Sequence, residues 1–154
     1  MENTVNILNN KFYSEDSAFK PEGLLRESKR QKGLPDCQVP AICLLDPDGD
    51  MLNYLIRTQK TKLNNCWACY HTKLYNFNLN GIEIGIVAYA VGASFAVLIA
   101  EQLFVSGCNT LLSVTSSGVI TEAPQGIQYI LIKGAVRDEG TSYHYLPAEE
   151  EASI

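Results

Sequence analysis

The sequence predicts an α/β fold, a sandwich of helices packed on a mixed β-sheet. Apolar runs of strand length alternate with helix-spaced segments, in the order strand, helix, hairpin, helix, strand, strand. An Asn-Gly pair at residues 80–81 joins two of these strands and is typical of an antiparallel hairpin. With 154 residues, 46% of them hydrophobic and 19% charged, the chain is long enough for one domain with a sizeable core.

The chain begins with a polar, asparagine-rich segment that shows no clear period. We expect residues 1–20 to form a flexible arm and residues 21–154 to form a single domain. Pro21–Gln31 predicts a short helix, because proline suits a first helical turn and Gly33 and Pro35 then end the helix.

A buried strand, a turn and a second helix are predicted next. Val39–Leu45 is a nearly continuous apolar run of strand length. The turn Asp46–Asp50 follows it, and we expect Asp48 or Asp50 to cap the next helix by accepting its first backbone N–H groups. That helix is predicted over Met51–Thr58, where the apolar residues have helical spacing.

The remaining predicted elements surround the Asn-Gly hairpin. They are a polar linker, an alternating strand, its return strand, a buried helix closed by a left-handed glycine, and two short apolar strands. In chain order these are Lys60–Asn65, the alternating part Leu74–Leu79 of the segment Trp67–Leu79, Ile82–Ala90, Ser94–Ser106 with Gly107, Thr110–Val114 and Tyr129–Ile132.

Composition and charge exclude several classes of protein. The net charge of −5 argues against a broad contact with nucleic acid. The longest apolar stretch, Ile82–Leu103, is interrupted by Glu83, Glu101 and Gln102, so it predicts a strand and a helix rather than a membrane span. The amino terminus lacks a basic region followed by an apolar block, so we expect no secretion signal and a cytoplasmic protein.

Cysteine number and spacing raise the question of a redox or metal site. The chain has five cysteines, an odd number, and we expect them to be reduced cytosolic thiols. Cys66 and Cys69 form a CxxC motif, with His71 two residues further on, which leaves a redox pair or a zinc site as alternatives. The motif precedes a hairpin and no second CxxC exists, so we favour two structural cysteines and expect no metal.

Two loops at predicted strand ends suit anion binding. Ser113–Gly118 follows an apolar strand, and its hydroxyls and backbone N–H groups lie at the edge where open α/β sheets bind ligands. The alternative is an ordinary serine-rich turn that caps its own backbone. The small-residue turn Ala88–Ser94 either presents a helix N-terminus to an anion or simply allows tight packing.

The polar and aromatic run Gly134–Pro147 supplies the candidate catalytic residues. Arg137 has the planar donors that hold a phosphate or orient a carboxylate. His144 suits general acid or base catalysis, and the alternative is a surface imidazole. We expect Gly134–Pro147 and the Ser113–Gly118 loop to meet at one rim of the sheet.

These segments resemble the nucleoside phosphorylase and uridine phosphorylase family between about Ala41 and Pro147. The resemblance is carried chiefly by SVTSSGVI at 113–120 and GAVRDEGTSYHYLP at 134–147, whose order and separation match the family. The pieces LLDPDGD at 44–50 and the segment 79–112 add a more generic match. The resemblance implies a three-layer α/β/α sandwich with a mixed central sheet, phosphorylase/hydrolase-like and incomplete at its C-terminus.

The family resemblance also implies particular ligand contacts. Ser116 falls where the family has a phosphate-binding hydroxyl, and Ser117 and Gly118 fall where it lines the nucleoside pocket. Inorganic phosphate is then a co-substrate and no cofactor is needed. The family's three phosphate-site arginines and its phosphate glycine have no counterpart here; their positions are Gly49, Tyr70 or His71, Ser113 and, for the glycine, Leu45.

Three functions follow from the resemblance. The first is phosphorolysis of a nucleoside, expected to be a pyrimidine nucleoside, to a free base and a pentose 1-phosphate. The second is a catalytically inactive, truncated relative that binds a nucleoside or a protein partner. The third is a nucleosidase of the same fold, which uses water and tolerates the loss of the phosphate arginines. The family also implies a homo-oligomer.

Overall fold

The protein is described by a computed structural model that covers residues 11–120, 122, 126, 129–147 and the backbone of 151–153. The chain divides into two compact units. The sheet unit is Phe19–Ser117, and the terminal unit is Met1–Ala18 with Gly118–Ile154. The predicted division into an arm and a single domain stays a prediction.

The sheet unit contains three helices and five strands. In chain order these are α1 (Pro21–Lys32), β1 (Ile42–Asp46), α2 (Asp50–Arg57), β2 (Thr61–Leu63), β3 (Leu74–Leu79), β4 (Ile82–Ala88), α3 (Ala93–Val105) and β5 (Thr110–Ser113). The described residues of the terminal unit form β6 (Gly134–Val136), a single 3-10 turn (Ser142–His144) and β7 (Glu151–Ser153).

The five strands form one mixed sheet in the order β2-β3-β4-β1-β5. β1 is parallel to both neighbours, with Ile42 aligned with Ile84 of β4 and with Thr110 of β5. β3 runs antiparallel to β4 and to β2. The prediction of an α/β fold with a mixed sheet is therefore confirmed.

Helices cover both faces of this sheet. On one face, Cys43, Leu45 and Val87 pack with Ile99 and Leu103 of α3 in a single buried cluster. Alternate residues of the same strands point to the other face, because side chains along a strand alternate between faces. The cluster there is built from β1, β3, β4 and α2, and its members are Leu44, Met51, Leu52, Leu55, Tyr75, Phe77, Ile86 and Ala88. The result is the predicted three-layer sandwich.

The β3–β4 hairpin and the end of α3 confirm two sequence signals. Asn80 and Gly81 connect the strands with φ of 53° and 86°, the left-handed values that Asn-Gly favours in a two-residue turn. Gly107 follows α3 with a φ of 110°, and the next N–H, from Cys108, donates to the Leu103 carbonyl at 3.0 Å. In the described part of the chain, no helix combines the length and hydrophobicity needed to cross a bilayer.

Two strand predictions were wrong. The segment Lys60–Asn65, expected to be a linker, contains the short edge strand β2. Tyr129–Ile132, expected to be a strand, belongs to no strand, and its four side chains are 60% to 95% exposed. An apolar run forms a strand only where a partner strand accepts its backbone hydrogen bonds, and here the following residues of β6 pair with β7.

The expectation of five reduced thiols was also wrong. Cys37 and Cys66 form a disulfide, with their Cα atoms 5.4 Å apart, while Cys43, Cys69 and Cys108 are free and buried. The disulfide joins the α1–β1 connection to the β2–β3 connection, which the 29-residue separation in sequence does not reveal. Cys66 is therefore bonded to Cys37 and not to Cys69, its partner in the CxxC motif.

Candidate functional site at the carboxyl edge of the sheet

Three parallel strands of the sheet unit end at the same edge. Because β4, β1 and β5 are neighbours and run in one direction, the loops that follow them lie side by side. These loops, the edge loops, are residues 46–50, from the last residue of β1 to the first of α2, residues 89–92 after β4 and residues 114–117 after β5. Open α/β sheets bind ligands at this edge, so the edge loops are the candidate functional site.

The carboxylate of Asp46 fixes the backbone of the first edge loop through hydrogen bonds. Asp46 is buried, with only 2% of its surface exposed. Its Oδ1 accepts the N–H of Gly49 at 3.1 Å and its Oδ2 accepts the N–H of Leu52 at 2.9 Å. The predicted cap was wrong, because neither Asp48 nor Asp50 caps α2; Asp46 instead accepts the N–H of Gly49, just before the helix, and that of Leu52 in its first turn. Burying a carboxylate requires such partners, and these hold α2 against β1.

Gly49 and Tyr89 bring the first two edge loops into contact. Both have left-handed backbones, with φ of 82° and 64°. A Cβ atom added to Gly49 would lie 2.0 Å from Cε1 of Tyr89, so the tyrosine ring occupies the space of a side chain at 49. The ring is held by its hydroxyl, which donates to Oδ1 of Asn53 at 3.0 Å, and its backbone N–H donates to the Asp46 carbonyl at 3.0 Å.

Asp48 joins the first edge loop to the serine-rich loop after β5. Its Oδ2 accepts the backbone N–H of Ser116 at 2.6 Å and the hydroxyl of Thr115 at 3.1 Å. The hydrogen bond from the Ser116 backbone lowers the pKa of the Asp48 carboxyl below its ordinary value. A carboxylate of the protein itself therefore accepts the donors that the sequence suggested for an anionic ligand.

The edge loops carry no positive side chain. Residues 46–50, 89–92 and 114–117 contain no lysine or arginine and include three aspartates. Three positions where the resemblance implies arginine hold uncharged residues: Gly49, Ser113 and Tyr70. The Tyr70 hydroxyl donates a hydrogen bond to the side chain of Gln31 at 2.7 Å. Lys32 lies over the Tyr70 ring at 4.9 Å and donates to the Ala68 carbonyl at 2.6 Å.

Two further grooves of the sheet unit lie outside the edge loops. One, of about 420 Å³, runs along β2 and β3, and another, of about 440 Å³, runs along α1. Neither is lined by a residue of the edge loops. Within the described residues, no group of three or more acidic, histidine or cysteine side chains is arranged to hold a metal ion.

In the terminal unit, Arg137 organises the loop that follows β6. The residue is 8% exposed, and its Nε donates to Oγ of Ser142 at 2.9 Å. Its two Nη atoms donate to the carbonyls of Leu146 and Pro147. The guanidinium also stacks on the Tyr143 ring, 4.3 Å from its centroid. The structure thus shows a loop-holding role, and a role of Arg137 in catalysis stays a prediction.

Replacing Arg137 with alanine should loosen residues 137–147, because three hydrogen bonds and the contact with Tyr143 are lost together. Amide hydrogen exchange measured by mass spectrometry should show faster exchange there, by about tenfold or more. Replacing the exposed Lys133 with alanine is the matched control and should leave exchange unchanged. Equal exchange in the Arg137 variant and the native protein would contradict this role.

The other predicted site residues are divided between the two units. His144 is exposed, and its Nδ1 is 2.8 Å from Nζ of Lys11. Ser116 and Ser117 lie in the third edge loop, whereas Gly118 begins the terminal unit. The structure brings Ser116 together with Asp48, which sequence reasoning considered only as a helix cap. The meeting of Gly134–Pro147 with the serine-rich loop stays a prediction.

The sandwich and its edge loops define a nucleoside phosphorylase-like α/β fold. The solved structure of uridine phosphorylase from Vibrio fischeri matches this chain with a TM-score of 0.63 and 24% sequence identity. The match covers 78% of this chain and 50% of that one, so this chain spans about half of its length. A scan against protein-family models and a search of curated proteins each found no match. The likeness therefore establishes the fold.

Proposed function

We propose that this protein binds a nucleoside, preferentially a pyrimidine nucleoside, at the edge loops of its phosphorylase-like sheet. Two facts support the proposal: the fold is shared with a uridine phosphorylase, and the edge loops lie where sheets of this type bind ligands. Ser116 and Ser117, which the family resemblance places at phosphate and nucleoside, both belong to the third edge loop.

Of the three functions that the resemblance implies, which are phosphorolysis, binding without catalysis and hydrolysis, we propose binding without catalysis. The observation that carries this choice is that the edge loops contain three aspartates and no lysine or arginine. Phosphorolysis has a transition state with positive charge on the sugar and needs a phosphate dianion held beside it. Cationic groups normally hold such a dianion, and here the nearby charges are negative and repel it.

Phosphorolysis is the second candidate, and the observation that favours it is the match to a uridine phosphorylase. Inorganic phosphate would then be the co-substrate, as the resemblance implies, with Ser116 as its hydroxyl contact. Hydrolysis is consistent with the absence of cations, but it needs a group that activates water, and none of the described hydrogen bonds identifies one.

Titration calorimetry with uridine, with and without inorganic phosphate, tests the proposal, together with chromatographic detection of uracil. We expect saturable binding of uridine, weaker binding of inosine, the same uridine affinity in both buffers and no uracil. Phosphate-dependent release of uracil would instead establish phosphorolysis, and release in both buffers would establish hydrolysis. An absence of uridine binding would overturn the nucleoside assignment itself.

Two further proposals concern the whole protein, and only the first comes from the resemblance. One is a homo-oligomer, because family members pair their subunits. The other is a cytoplasmic location, against which the Cys37–Cys66 disulfide weighs, since disulfides are uncommon in the reducing cytosol.

A further inference from the structure

The Asp48 carboxylate bridges two loops that are far apart in sequence. It lies 67 and 68 residues from Thr115 and Ser116, whose hydroxyl and N–H it accepts. The bond from the Ser116 N–H, at 2.6 Å, is at the short end of charge-assisted hydrogen bonds. The third edge loop is therefore shaped around a negative oxygen atom, and that oxygen belongs to the protein.

The local folding of the first edge loop does not account for this contact. Asp46 already accepts the N–H groups of Gly49, just before α2, and of Leu52, in its first turn. Asp48 is exposed, so it is not needed to satisfy a buried group. Glu139 of the terminal unit shows the ordinary arrangement, because it accepts the N–H groups of Thr141 and Ser142, two and three residues ahead in its own turn.

The donors that Asp48 engages are of the kind that bind a phosphate or carboxylate oxygen in a ligand. Backbone N–H groups and hydroxyls in a loop make a concave anion site wherever they are not already satisfied. While Asp48 is ionised, an incoming anion finds the Ser116 N–H and the Thr115 hydroxyl occupied, and it also meets a like charge. The Asp48 carboxyl is exposed and ionised at neutral pH, and the hydrogen bond from the Ser116 backbone lowers its pKa further.

We propose that Asp48 acts as an internal substitute for an anionic ligand and keeps inorganic phosphate away from the corner formed by Thr115 and Ser116. Asp48 is thus a specificity-determining residue of the edge loops: it excludes phosphate, and the nucleoside binds without it. The statement that a nucleoside binds here rests on the proposed function, whereas the exclusion of phosphate does not.

The Asp48→Asn variant tests the inference, because asparagine still offers an oxygen to the Ser116 N–H while it removes the negative charge. The matched control is Glu83→Gln, which removes an exposed carboxylate near the start of β4, at the end of the sheet away from the edge loops. Inorganic phosphate is titrated into each protein, and binding is followed by calorimetry and by the NMR shift of the Ser116 amide. We expect at least about tenfold tighter phosphate binding for Asp48→Asn than for the native protein and the control.

Native protein that binds phosphate as tightly as Asp48→Asn would overturn the inference. So would an Asp48→Asn variant in which phosphate leaves the Ser116 amide unmoved. Circular dichroism confirms that each variant is folded. Asp48→Ala provides a second test, because alanine leaves the Thr115 hydroxyl and the Ser116 N–H without their acceptor. Uridine is titrated into the same samples, so a failure to bind uridine counts against the proposed function, whereas the phosphate result counts only for or against Asp48.

Discussion

Removal of the Cys37–Cys66 disulfide should lower the free energy of unfolding by about 3.5 kcal/mol, the value expected when a cross-link closes a loop of this length. The two cysteines are 29 residues apart, and the loop between them contains β1, α2 and β2. The cross-link restricts the unfolded chain far more than the folded one. Urea denaturation of the Cys37→Ser variant measures the change.

Two comparisons make the disulfide experiment decisive. Cys66→Ser, and the native protein treated with a thiol reductant, should both lose the same stability as Cys37→Ser, because each removes the same bond. Thiol titration of the native protein, unfolded without reductant, should find three free thiols, from Cys43, Cys69 and Cys108. Five free thiols, or no loss of stability on reduction, would show that the bond is absent.

Replacing Asp46 with alanine should lower the free energy of unfolding by about 2 to 3 kcal/mol, the cost of an unsatisfied buried donor together with a lost helix cap. The Leu52 N–H loses its acceptor, and the Gly49 N–H keeps only the Asp46 backbone carbonyl, 3.0 Å away. Urea denaturation followed by circular dichroism measures this loss.

Asp50→Ala is the control for Asp46, because Asp50 is exposed and begins the same helix. Its loss should cost at most about 1 kcal/mol, through the weakened interaction with the helix dipole. Equal losses for the two variants would mean that the buried hydrogen bonds of Asp46 do not stabilise the edge loops.

Much of the fold could be predicted because its signals are local. The Asn80-Gly81 turn, the helix that ends before Gly107 and the apolar run of β1 each depend on neighbours in sequence, and all three are present in the structure. The strand prediction for Tyr129–Ile132 was wrong because its signal was not local. Its apolar and β-branched residues indicate a strand, but strand formation depends on a distant partner that the sequence does not name.

The candidate site was only partly predictable for the same reason. The serine-rich loop and its position after a strand were visible in the sequence, because both are properties of one segment. The contact of Ser116 with Asp48 spans 68 residues and depends on the order of β1 and β5 in the sheet. The Cys37–Cys66 pair likewise depends on how two connections meet, and five cysteines allow many pairings.

The Tyr89 ring beside Gly49 limits how this protein could evolve. The phosphorylase resemblance places an arginine at position 49, yet a side chain there would need a left-handed backbone and would collide with the ring. A single mutation of Gly49 to arginine therefore carries a penalty in stability before it offers any gain in phosphate affinity. Replacing Tyr89 by a smaller residue would remove the collision but not the left-handed backbone, so an arginine at position 49 requires more than one change.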